Sequence, residues 1–187
     1  EHKDFESFAR RLDKEFERLD YCGVNACRNF YEVNQAGAWN KSQQTYEVTL
    51  NTFCPDADIY YAVNDSTVNT SSSLYETPIP LDEDATIYSA VYRSGKPLGK
   101  VTRKSFAVNK ATGCDYTCNP EAGWEHLNKG FGLTDGRRGY ARDMRRWISF
   151  YQDTVQIVVE LKKPQKVKEV AFSSLWRPVN EIWPARA

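Results

Sequence analysis

The stretch Ala57–Tyr92, ADIYYAVNDSTVNTSSSLYETPIPLDEDATIYSAVY, decides the fold class. Its ends, ADIYYAV and ATIYSAVY, are short runs of aromatic and β-branched residues in which apolar positions alternate, the pattern of a half-buried strand. Between them lie Asn, Asp, Ser and Thr, followed by Pro78 and Pro80, all turn formers with no grouping able to do chemistry. Outward on either side, TYEVTL (45–50) and GKVTRKSFAV (99–108) repeat the strand pattern, with Pro55 and SGKPLG (94–99) as punctuation. Short strands separated by turn signals and uninterrupted by a helical pattern predict an antiparallel sandwich. The chain is therefore expected to be mainly β, and the polar stretch to be structural.

Ahead of this module the period changes. Phe5, Phe8, Leu12, Phe16 and Leu19 are spaced by three and four, which places them on one face of an α-helix over Asp4–Tyr21, and Gly23 is a fitting stop. A lone amphipathic helix cannot bury that face by itself, so it must dock on the rest of the chain or on a domain preceding it. Behind the module, residues 110–123 are poor in apolar side chains and are expected to be a linker. Beyond it TVQIVVEL (154–161) and KVKEVAFSSL (166–175) predict two more strands, joined by the turn KKPQ (162–165).

The totals narrow the class of function. The 187 residues carry 25 basic and 25 acidic side chains, so no overall field draws the protein to nucleic acid or to an anionic membrane surface. No apolar run approaches the roughly 20 residues that span a bilayer. The five cysteines are an odd number, and their spacing suits buried thiols or one local Cys114–Cys118 disulfide better than a zinc site. Two histidines, His2 and His126, leave little material for a histidine triad or a multi-histidine metal centre.

The strand motifs DIYYAVN, SSSLYETPI and ATIYSAVY, within Tyr46–Val108, resemble the fibronectin-III-like β-sandwich that follows the catalytic barrel in chitobiases and related β-N-acetylhexosaminidases. The Asp-Gly usual after IYY is replaced here by Asn64-Asp65, a local change of turn. DFESFARRLDKEFERLDYCGVN looks like the last helix of a family 20 glycoside hydrolase barrel. GLTDGRRGYARDMRRWISFYQDTVQIVVEL resembles the start of a discoidin-like domain. The resemblance implies four parts: residues 1–33 as the closing helix of a catalytic barrel that lies before Glu1, 45–109 as the sandwich, 110–123 as the linker, and 124–187 as a partial discoidin-like domain. It implies the accessory, non-catalytic portion of an enzyme that removes terminal N-acetylhexosamine from glycans. A secreted, periplasmic or cell-surface location would follow. A stand-alone carbohydrate-binding module and a protein-interaction module are the alternatives.

No residue matches the family's catalytic Asp-Glu pair, so none is carried over as catalytic, and no cofactor is expected unless the discoidin-like part holds calcium. Asp135 in GLTDGRRG would be that calcium's ligand, since a carboxylate in a tight loop suits a hard cation; the other reading is a turn carboxylate capping backbone amides. For a glycan partner bearing N-acetylhexosamine, Trp176 with Arg177 and Trp124 with His126 are the candidate residues, an indole face for the sugar ring beside a polar donor. Trp147 and Trp183 are read as core. The group Arg137, Arg138, Arg142, Arg145 and Arg146 is read as solvated loop charge.

Overall fold

The computed structural model describes residues 4–121, 132–136, 147–152, 154–180 and 182–183. Among them the chain is mainly β, with one α-helix, α1 (Phe5–Tyr21), and strands β1 (Asn34–Asn40), β2 (Thr45–Asn51), β3 (Asp58–Val63), β4 (Ser73–Leu74), β5 (Ile79–Leu81), β6 (Ala85–Arg93), β7 (Lys96–Pro97), β8 (Thr102–Phe106), β9 (Asp115–Asn119) and β10 (Gln156–Glu160). It forms two compact units, Glu1–Gly37 with Glu47–Phe106, and Ala38–Tyr46 with Ala107–Ala187.

In the first unit one sheet runs β1-β2-β5 and the other β4-β3-β6, with β7 and β8 both on the far side of β6. β6 is the spine: Asp58 to Val63 of β3 pair antiparallel with Tyr92 to Ile87, and Thr102 to Phe106 of β8 pair antiparallel with Ser89 to Ala85. Alternation then sorts the side chains by face. Ala85, Ile87, Ser89 and Val91 point one way and are buried, as are Tyr46, Val48 and Leu50 of β2 and Ile79 and Leu81 of β5. Gln35 on β1 donates through Nε2 to Ser89 Oγ at 2.8 Å and to the Thr102 carbonyl at 3.2 Å, a buried polar tie within this core.

The polar stretch after β3 has a definite task. Val68 is buried on the opposite face of β6 with Ala90 and Tyr92, against Tyr60, Ala62 and Tyr88. The Tyr92 hydroxyl donates to the Val68 carbonyl at 2.9 Å. The loop thus folds back as a cover for the outer aromatic face, which a sheet exposed on that side would otherwise present to water. The Asn64-Asp65 turn is built for this. Asn64 adopts φ +58°, a left-handed conformation that Asn tolerates, and its Oδ1 accepts the Thr86 amide at 2.8 Å.

α1 starts where Asp4 accepts the Ser7 amide at 3.0 Å and stops before Gly23, whose φ is +70°. Its apolar stripe divides. Phe16 is buried and packs on Tyr31 and Phe30 at 5.3 and 5.8 Å between ring centroids, whereas Phe5 and Phe8 remain 56% and 49% exposed, with Phe5 edge-on to Phe53. A polar relay fastens the helix: the Tyr31 hydroxyl donates to Asp13 at 3.0 Å, Arg93 pairs with Asp13 at 2.9 Å, and Arg93 also donates to Cys54 Sγ and the Pro55 carbonyl at 3.0 and 2.7 Å. Burial pushes the Cys54 thiol up to about 11, outweighing the Arg93 guanidinium, which acts the other way.

In the second unit three expectations are corrected. The stretch expected as a linker contains β9, which the apolar count hid because DYTCN has one tyrosine and one cysteine on its packed side. β10 forms as predicted but pairs antiparallel with β9, Gln156 opposite Asn119 and Glu160 opposite Asp115, rather than with the segment after KKPQ. That segment, residues 166–175, forms no strand, and Val167, Val170 and Phe172 are exposed. The cysteines, left open between buried thiols and one local Cys114–Cys118 disulfide, are all free thiols, Cys54 and Cys114 buried, Cys22 and Cys27 exposed.

Within the second unit, Ala38–Tyr46 packs against residues from 107 onward. Gly113, at φ +71°, lies flat against the Trp39 indole, and the Lys162 ammonium sits 4.5 Å from that ring's centroid while donating to Gln44. The Gly113 amide donates to the Thr134 carbonyl at 2.7 Å, the Thr134 hydroxyl to the Cys114 carbonyl at 2.6 Å, and the Tyr46 hydroxyl to the Gly136 carbonyl at 3.3 Å.

Candidate functional site

The chemistry-bearing residues of the second unit fall at two places. The first is the loop 132–136, where Asp135 accepts the Gly132 amide at 3.1 Å through Oδ2. That bond is the one expected of a turn carboxylate, an amide N–H pointing at the oxygen a cation would use. Calcium takes six to eight oxygen ligands, commonly with several carboxylates. Among the described residues no group of three or more His, Cys, Asp or Glu side chains converges.

The second place is the turn from Trp176 to Trp183. Arg177 and Ile182 form an antiparallel bridge in which each amide donates to the other's carbonyl, at 3.0 and 3.2 Å. Pro178–Asn180 between them is a 3-10 turn, opened by a proline whose fixed φ suits its first position. The bridge decides which side chains are neighbours. Positions flanking a hydrogen-bonded antiparallel pair face one another on the opposite face of the ribbon. Here the hydrogen-bonded pair is Arg177 opposite Ile182. Trp176 and Trp183 are 67% and 70% exposed.

Trp183 is thus not a core residue as the sequence reading had it. Among the described residues near it in the chain, Arg177, Pro178 and Val179 are exposed as well. Trp147 is half-buried. Trp124 and His126 lie outside the described residues, as do Arg137, Arg138, Arg142, Arg145 and Arg146.

The first unit offers a shallower feature, an open groove between α1 and the β6–β7 turn, lined by Asp13, Phe16, Asp20, Arg28, Tyr31 and Arg93 among others. Several of its charged groups pair with one another. Asp13 serves Tyr31 and Arg93, and Arg28 pairs with Asp20 and stacks at 4.7 Å on Phe16. The groove has the character of a helix seam crossed by ion pairs, with Arg93 Nε buried and unpartnered among the described residues.

No helix among the described residues is long and apolar enough to cross a membrane. A comparison with curated proteins finds no match. A comparison with protein families does find one for the double-sheet part of the first unit: residues 34–103, from the start of β1 into β8, match the family described as Chitobiase/beta-hexosaminidase C-terminal domain.

Proposed function

We propose that the chain is the accessory, non-catalytic C-terminal portion of a β-N-acetylhexosaminidase or chitobiase, secreted or held in the periplasm or at the cell surface, with a glycan as partner. The match of residues 34–103 carries the reading. In this account α1 is the closing helix of a preceding catalytic barrel, which would cover the exposed rings of Phe5, Phe8 and Phe53. Three apolar rings grouped on a surface are a docking patch for a neighbouring domain.

The second unit is the start of a discoidin-like domain, and its glycan-facing residues are those of the Trp176 turn, with Trp124 and His126 as further candidates. Stacking of a sugar ring on an indole supplies the contact. Asp135 is assigned to holding its loop, with calcium retained as a ligand to be tested. Hydrolysis belongs to the barrel and not to this chain.

Two measurements on the purified chain test this. Calorimetric titration with glycans ending in N-acetylhexosamine should show saturable binding, and nitrophenyl N-acetylglucosaminide should release no nitrophenol above a buffer control. Binding absent across a panel of such glycans removes the partner, and nitrophenol release removes the non-catalytic assignment. Calcium added in the same titrations tests Asp135 as its ligand: saturable heat lost in Asp135→Ala assigns the ion to this loop, and no heat leaves the carboxylate as a turn cap.

A further inference from the structure

We infer that α1 is a strap that opens on its own, before the two sheets of the first unit come apart, and that Cys54 is the group its opening uncovers. Cys54 is buried in the loop between β2 and β3, and α1 is linked to that loop at three points. Phe5 meets Phe53 edge-on with ring centroids 5.3 Å apart, and Arg10 pairs with Asp56. The third link runs through a guanidinium: Asp13 holds Arg93 Nη1 at 2.9 Å while Arg93 Nη2 donates to Cys54 Sγ at 3.0 Å. The contacts around the thiol thus lead back to one helix.

That helix is lightly held. Of its 17 residues α1 buries Ala9 and Phe16. Phe5 and Phe53 are more than half exposed, and both side chains of the Arg10–Asp56 pair lie in solvent, where such a pair adds little. The sheets are held differently: Val48 of β2 and Ile87 and Val91 of β6 are fully buried, and β6 is bonded to β3 on one side and to β8 on the other. Regions with few buried apolar contacts open at lower free energy than the core. Most of a helix's stability in a protein comes from the face it packs, so a released α1 unravels and its amides exchange. Whatever grips the exposed rings of Phe5 and Phe8 therefore holds the strap shut and keeps the thiol covered.

The test is hydrogen exchange by mass spectrometry on the full chain, run beside iodoacetamide alkylation of Cys54 at one fixed pH and read by peptide mass. Amides of α1 should exchange about tenfold or more faster than those of β6 from Ile87 to Val91, and Cys54 should be alkylated ahead of exchange in β6. Ile87→Val thins a core that the strap does not hold together. It should speed exchange in β6 about fivefold and leave α1 and Cys54 unchanged. Asp13→Ala should speed α1 exchange and Cys54 alkylation by the same factor, about tenfold or more. Asp13→Asn keeps one oxygen for the Tyr31 hydroxyl, should act in the same direction by a smaller factor, and serves if the alanine variant does not fold. Cys54 alkylation that rises with β6 exchange in Ile87→Val shows that the thiol is uncovered only when the whole unit unfolds, and overturns the strap. Faster α1 exchange in the Asp13 variants with Cys54 alkylation unmoved shows that the helix does not cover the thiol, and overturns it as well.

Discussion

Replacing Gly113 by alanine should destabilise the second unit by an amount that depends on Trp39. A Cβ built on Gly113 would sit 2.1, 2.3 and 2.4 Å from Cε2, Cδ2 and Cζ2 of the Trp39 ring, all far inside van der Waals contact. The ring cannot swing aside without giving up the Lys162 ammonium 4.5 Å from its centroid. The φ of +71° adds a second cost, since a residue with a Cβ pays about 1–2 kcal/mol in the left-handed region. Overpacking costs typically 1–3 kcal/mol, so Gly113→Ala should lose about 2–5 kcal/mol together. Urea denaturation followed by tryptophan fluorescence and near-ultraviolet dichroism measures it. In a Trp39→Ala background the clash is gone and only the backbone cost of about 1–2 kcal/mol should remain. A Gly113→Ala cost under about 0.5 kcal/mol, or the same cost in both backgrounds, would refute this packing.

The relay that fastens α1 gives a second prediction: Asp13→Ala removes the acceptor of the Tyr31 hydroxyl and the carboxylate facing Arg93 Nη1, while Arg93 Nη2 keeps Cys54 Sγ and the Pro55 carbonyl. The loss should be about 2–3 kcal/mol by denaturant midpoint, less than for a fully buried pair because the Arg93 side chain is 30% exposed. Stability should also fall at alkaline pH. Cys54 is raised from 9.0 to about 11, so the unfolded chain ionises first and the folded state loses ground as pH climbs from about 9 to about 11, with Tyr31 acting in the same direction. Midpoints that stay level across that window would contradict the buried thiol. In native alkylation, Cys22 and Cys27 should react first and Cys54 and Cys114 last, read by peptide mass.

The sequence showed the helix and the main strands because each was decided locally. The three-and-four spacing from Phe5 to Leu19 and the alternation in TYEVTL, DIYYAV and ATIYSAVY carry their periods in a few consecutive residues. The elements that were missed take their structure from partners. β1, NQAGAWN, has little alternation, and its buried Gln35 is polar, so nothing in its own composition marks it as a strand. β9 is a strand because β10 pairs with it from nearly forty positions away, and KVKEVAFSSL alternates well yet has no strand beside it among the described residues. The candidate site divides in the same manner. Trp176 was visible as an indole next to a cationic residue, but the Arg177–Ile182 bridge that closes the turn after it pairs residues with no strand pattern of their own.

The most direct measurement is a two-dimensional amide NMR titration of the full chain with N-acetylglucosamine oligosaccharides. A glycan-binding accessory portion predicts saturable shifts confined to the amides and indole N–H groups around Trp176 and Trp183, with residues 34–103 unmoved. A flat response in a well-dispersed spectrum, or shifts spread over the two sheets of the first unit instead, would contradict it.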